Sequence, residues 1–222
     1  MNFVRPVLGF AITENGVDTL EEKGINNLVE LCGVLGGRPV FSHVSRDEAY
    51  YLFPLEILRL SGALDTINIM VRQTLLEQVV LEPLSKIAIA GELRSFNNKT
   101  GAGSRLVITV FARELALTDS EDYNRITLRG TLCKPPNLRR TPMGREICDL
   151  LLATSRRYGR SDYLPCISWG QNAMEAGSWT VGAVVAFSGR VQSRAYIKQA
   201  HGVACEKTAF EVSVIDQRLL EG

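Results

Sequence analysis

Histidine is nearly absent from this chain: His43 and His201 are the only two in 222 residues. The five cysteines, Cys32, Cys133, Cys148, Cys166 and Cys205, are odd in number and widely spaced, with no Cys-x-x-Cys pair and no His/Cys cluster. Such a set gives no support to a structural zinc site, so no metal and no cofactor are expected. The thiols fall mostly in strand-like apolar runs, where a reduced, packed cysteine is the expected state. No apolar run approaches the roughly 20 residues that span a bilayer. The opening residues 1–12 lack a basic segment followed by a long apolar core, so no secretory signal is expected. Carboxylates in the second half are scattered, and the closest pair, Glu146 and Asp149, falls on opposite faces of a strand. Metal-assisted or acid–base catalysis lacks its parts, and the chain reads as a cytoplasmic non-enzyme.

What is present is ordinary globular composition, 45% hydrophobic and 22% charged, in a length that fits one large domain or two of about a hundred residues. The net charge of +1 hides a division. Residues 1–123 hold 11 Lys/Arg against 16 Asp/Glu, whereas residues 124–222 hold 14 against 8. The basic half interleaves its cations with aromatics. Arg139-Arg-Thr-Pro-Met-Gly-Arg145, Arg156-Arg-Tyr158, Tyr163 to Trp169, and Arg190-Val-Gln-Ser-Arg-Ala-Tyr196-Ile-Lys198 follow one another at strand-like spacing. Phosphates require cations, and unpaired bases require flat faces on which to stack.

The chain also repeats itself. Asn27-Leu-Val-Glu-Leu-Cys-Gly33-Val-Leu35 returns as Asn124-Arg-Ile-Thr-Leu-Arg-Gly130-Thr-Leu132, 97 positions on. Lys86-Ile-Ala-Ile-Ala-Gly91 returns as Val185-Ala-Phe-Ser-Gly189, shifted by 98. Two landmarks with a common offset predict a duplicated domain. Strands are predicted over 27–35, 50–59, 65–71, 86–96 and 105–113 in the first copy, and over 124–132, 146–154, 163–169, 184–194 and 208–216 in the second. Short helices are placed at 73–81 and 171–180. A glycine-rich hairpin loop is expected at 97–103, matched by His201-Gly202, and an acidic linker at 118–122.

The segment over about 124–216 resembles the bacterial single-stranded DNA-binding proteins. The resemblance is carried by Gly130-x-Leu132, Pro135, Arg139 to Gly144, Leu152-Ala-Thr-Ser155, Trp169-Gly-x-x-Ala173, Gly182, Gly189-x-Val-Gln-Ser-Arg194 and Phe210-Glu-Val-Ser-Val214. It implies an all-β chain of two tandem OB folds, each a five-stranded Greek-key barrel with a short helix. The first would occupy 25–118 and the second 124–218, after an extension of unassigned role over 1–24. The family's stacking aromatics fall on Tyr158, Tyr163, Trp169 and Tyr196, although large aromatics also fill small barrels. Phosphate contacts are expected from Arg139, Arg140, Arg145, Arg156, Arg157, Arg160, Arg190, Arg194 and Lys198.

Opposite Tyr158 and Trp169 the first copy offers Leu64 and Met70 or Val71, and only Phe96, near Arg94 and Lys99, takes the place of Tyr196. That copy is therefore expected to bind weakly or to pair barrels, with Phe41, His43, Tyr50, Tyr51 and Phe53 as interface or core. The resemblance implies sequence-independent binding and protection of single-stranded DNA in replication, recombination or repair. The alternative is a primosomal accessory protein that also engages a helicase-loading partner. Four barrels as the working unit imply a homodimer, without membrane attachment and associated with the nucleoid. The family's acidic tail with an apolar tip is not seen before Gly222, so recruitment of repair enzymes by that route is not expected.

Overall fold

Inward apolar residues recurring at every second position set the strands. In β1 (Asn27–Leu35), Val29, Leu31 and Leu35 face the core. In β3 (Glu48–Leu58) Phe53, Leu55 and Ile57 do so, and in β4 (Leu64–Arg72) Ile67, Ile69 and Val71. A computed structural model describes residues 25–98, 106–156, 159–200 and 203–221, with backbone alone over 195–200 and 203–207. The extension over 1–24, Lys99, Arg157, Tyr158 and His201 lie outside the described residues. Tyr196, Lys198 and Cys205 are placed by backbone only.

The first unit continues with α1 (Gln73–Leu76), β5 (Lys86–Asn97) and β6 (Leu106–Leu117), and also contains β2 (Val40–Ser45). The second consists of β7 (Tyr123–Leu132), β8 (Asn137–Arg140), β9 (Glu146–Ser155), β10 (Ser161–Trp169), α2 (Gly170–Ala176), β11 (Val184–Ala200) and β12 (Val203–Glu221). β2 and β8 were not foreseen. Both are short, almost wholly exposed strands that pair on one side only, so neither carries the alternation that marks a half-buried strand.

Each unit closes into a five-stranded barrel of one topology. β1 pairs with β5 and β3, β3 with β4, β5 with β6, and β4 runs parallel to β6; β7, β11, β9, β10 and β12 repeat the circuit. These are two OB folds. Glycine permits the closure. A Cβ on Gly33 would lie 2.3 Å from the carbonyl oxygen of Glu56, and one on Gly130 would lie 2.4 Å from that of Ala153, where β1 and β7 cross onto β3 and β9. An asparagine at the start of β1 and another one residue into β7 are equally constrained. Asn27 donates to Leu93 O at 2.7 Å and accepts from Leu93 N at 2.9 Å, and Asn124 does the same with Val191 at 2.6 and 2.9 Å. Each side-chain amide extends the backbone ladder by one rung past the bulge at Gly91 or Gly189.

The barrels join through β1 and β7, which run antiparallel from Asn27↔Leu128 to Cys32↔Tyr123 and merge all twelve strands into one sheet. In this register Val29 faces Ile126, its own counterpart in the repeat, so a pseudo-twofold axis passes through that pair. A reciprocal pair of buried carboxylates adds a second connection. Asp162 on β10 accepts the backbone N–H of Ser95 on β5 at 2.6 Å and is held by Arg156. Asp65 on β4 accepts from Ser193 N on β11 at 3.3 Å and is held by Arg59.

Two outcomes test this architecture. Gly130→Ala destabilises the chain by about 1–3 kcal/mol in denaturant unfolding, because the new methyl group overpacks the closure. Burial raises the thiols of Cys32, Cys148 and Cys166 above the ordinary cysteine range. All three therefore stay protonated at neutral pH and react with iodoacetamide far more slowly in the native chain than after unfolding.

Candidate nucleic-acid interface

β10 builds the aromatic face of the second barrel. Asp162, Leu164 and Cys166 point inward, while Tyr163 and Trp169 point out, 50% and 38% exposed. Six residues of strand separate the two rings by about 20 Å. Tyr163 is fixed by its backbone N–H, which donates to Ser95 Oγ of the first barrel at 2.8 Å. Trp169 ends the strand where Gly170, at φ 58°, turns the chain into α2. The other tryptophan, Trp179, is a core residue stacked on Phe187 at 6.2 Å. Tyr196 lies in the long β11–β12 hairpin across from Lys207, and Lys198 across from Cys205.

The predicted phosphate ligands fall into distinct environments. Arg139 and Arg140 project from the edge strand β8 and pair with Asp149 (2.6 and 3.0 Å) and Glu146 (2.7 Å) of β9. The Asp149 hydrogen bond raises the Arg139 guanidinium above its usual value. Such exposed pairs contribute about 0–1 kcal/mol and can be exchanged for a phosphate. Arg145 is exposed in the β8–β9 turn, its backbone N–H donating to Thr141 Oγ1 at 3.0 Å. Arg160 is exposed, and Arg194 lies on the outer part of β11. Arg156 is not a simple surface cation: it donates to Asp162 at 2.5 Å and to Ser95 O at 3.1 Å, and lies over Phe96 at 5.5 Å. Arg190 sits half-buried beside Arg59 and Asp65, and burial lowers its guanidinium from the ordinary value. Its Nε has no hydrogen-bond partner among the described residues.

The first barrel differs from its sequence reading. The residue in register with Trp169 is Arg72, not Met70 or Val71: Trp169 lies across from Ile147, and Arg72 from Tyr50, each 97 positions earlier. Met70 and Val71 are buried. Of the proposed interface aromatics, Phe53 is core, whereas Phe41 is exposed on β2. His43 and Tyr50 stack at 5.0 Å, and Tyr50 meets Phe111 at 6.0 Å. Arg113, Arg72 and Arg94 surround the Phe111 ring at 4.8, 5.5 and 5.9 Å. The Arg94 guanidinium is lowered by burial, although Glu92 and Asp162 oppose that shift. The signal for this alignment was in the sequence: Arg59 with Asp65 and Arg156 with Asp162 recur at the same offset of 97.

Among the described residues no group of three His, Cys, Asp or Glu side chains could hold a metal ion, and no helix is long and apolar enough to cross a membrane.

Comparison with known proteins converges on this arrangement. The family model of the single-strand binding protein family matches residues 123–218. The single-stranded DNA-binding protein of Clostridium tetani is 34% identical over 80 residues, covering 33% of this chain and 55% of that protein. Single-stranded DNA-binding protein B of Bacillus subtilis is 32% identical over 81 residues, covering 33% of this chain and 72% of that protein. The chain spans about half the length of the first relatives it matches. The wild-type single-stranded DNA-binding protein of Thermus aquaticus superimposes with a TM-score of 0.72 at 20% identity, over 88% of this chain and 93% of that one, which shows a shared fold through both barrels. With the matched segment coinciding with the barrel that carries Tyr163, Trp169 and the β8 arginines, the chain belongs to the single-strand binding protein family.

Proposed function

We propose that this protein coats single-stranded DNA without sequence preference, sheltering strands exposed during replication, recombination or repair. The observation that carries the reading is the outward pair Tyr163 and Trp169 on β10, flanked by the arginines of β8, in the barrel matched by the family. Bases stack on the two rings, and phosphates replace the carboxylate partners of Arg139 and Arg140. Arg145, Arg160 and Arg194 extend the contact, and Arg157, Tyr158, Tyr196 and Lys198 add further cations and rings to it. Specificity is for the single strand itself, because every base offers a face and the cations read only the backbone.

Binding of this kind calls for no bond to be broken, so the protein acts without catalysis and without a cofactor. The relatives reported above are named single-stranded DNA-binding proteins, which favours this reading over a primosomal accessory role. Two copies of the chain would assemble four barrels, and the complex would reside with the DNA in the cytoplasm.

Trp169 supplies a built-in probe. Titration with oligo-dT at low salt quenches its fluorescence, while the buried Trp179 is little affected. Trp169→Ala removes the signal, and Tyr163→Ala weakens binding by about 1–3 kcal/mol. Arg145→Ala lowers the slope of log K against log salt by about 0.7. Absence of any binding to oligo-dT at low salt overturns the proposal.

A further inference from the structure

The first barrel carries a cationic groove that its acidic average conceals. Strand register places His43, Tyr50 and Arg72 side by side across β2, β3 and β4, and Phe111 continues the row from β6. The groove, of about 510 Å³, is completed by Arg156 and Arg160 from the second barrel. Arg46, Arg72, Arg94 and Arg113 join these two in its lining, and among the described residues no carboxylate does. The other barrel has no copy of this surface. Arg72, Arg94 and Arg113 stand where it has Trp169, Gln192 and Ile215, and Phe111 stands where it has the buried Ser213.

Its charges are only partly compensated from behind. Arg113 donates to Glu92 at 2.9 and 3.1 Å, and Arg94 is shared between Glu92 and Asp162. Arg72 and Arg160 pair with no carboxylate among the described residues. A concave surface lined by one sign of charge draws in a counter-ion of matching shape. The chain offers one at the mouth of the groove. A second depression, of about 270 Å³, holds Ile25, Asn26 and Asn27, which lead into β1, and it adjoins the groove through Arg94 and Arg156, common to both. Directly upstream, residues 14–22 carry Glu14, Asp18, Glu21 and Glu22 with no cation among them. These carboxylates precede Ile25 by three to eleven positions, a reach of roughly 10–36 Å at about 3.3 Å per extended residue. Val17 and Leu20, set between them, suit the rings of Tyr50 and Phe111.

We infer that the groove's ligand is the chain's own acidic segment, residues 14–22, which docks its carboxylates on Arg72, Arg94, Arg113 and Arg160 and holds the groove until a stronger polyanion displaces it. The segment and the groove belong to one molecule, so the contact forms whether or not nucleic acid is present. The inference therefore goes beyond the single-strand function proposed above and does not depend on it.

Trypsin cleavage after Lys23, the residue that follows the segment, reports the docking in the full chain without DNA, with the products read by intact mass. At low salt, where exposed charges attract most strongly, Lys23 is cut about tenfold or more slowly than in a free peptide spanning the same residues. Inorganic polyphosphate, at a concentration that leaves cleavage of the peptide unchanged, raises the rate in the full chain to that of the peptide. Arg72→Glu and, separately, Arg160→Glu speed the cut by about tenfold, whereas reversal of Arg38, exposed and outside the groove, leaves it slow. Cuts within the barrels stay slow in all three variants, which separates lost docking from lost folding. Wild-type cleavage as fast as that of the peptide overturns the inference. So do equal effects of Arg38→Glu and the two groove reversals, or no effect of the groove reversals. Protection that disappears on dilution overturns it as well, because a second copy then supplies the segment. None of these readouts involves oligo-dT, so the docking and the single-strand function stand or fall separately.

Discussion

The antiparallel pairing of β1 with β7 is the constraint on which the rest depends. Each of these strands already lies in the wall of its own barrel, bonded to β5 or β11 on its other side. Pairing them leaves neither barrel an open edge at its centre and places the two circuits about an axis through Val29 and Ile126. From that axis follow the reach of Asp65 to Ser193 and of Asp162 to Ser95, and the approach of Arg156 and Arg160 to the groove of the first barrel.

The two buried carboxylates are not equivalent in what they hold. Asp162 receives Arg156, Arg94 and the backbone and hydroxyl of Ser95, whereas Asp65 receives Arg59 and the longer contact from Ser193. A buried carboxylate is tolerable only with such compensation, and removing one partner leaves an isolated charge in a poorly solvated place. The Asp162 cluster also positions Arg156 over Phe96, so one carboxylate both joins the barrels and shapes the surface at their boundary. The half-buried Arg190 beside Asp65 marks where the mirrored cluster has diverged.

Much of this was legible in the sequence, for identifiable reasons. Gly33, Gly130, Gly91 and Gly189 disclosed the duplication because each lies where a side chain would strike a neighbouring carbonyl, and such positions tolerate nothing else. Asn27 and Asn124 stood out because their side chains substitute for backbone. β2 and β8 escaped notice because edge strands in solvent need no apolar alternation. The Arg72 alignment is not carried by apolar residues; the Arg59–Asp65 pair, repeated as Arg156–Asp162, sets that register. The first barrel's aromatic row was invisible for a different reason. Its members come from four strands separated in the chain, and only pairing brings His43, Tyr50 and Phe111 together.

The β1–β7 junction has a further consequence because one chain supplies both sides of it. Two barrels on separate chains would part on dilution, and each would have to present the same surface to its twin. Here the tether holds the partner at an effective concentration that does not depend on how much protein the cell contains. The pairing cannot be lost to subunit exchange, and each half has been free to acquire its own residues: arginine at 72 where the other has tryptophan, phenylalanine at 111 where the other has serine. The molecule is a permanent heterodimer written in a single sequence, and its two faces need never be alike.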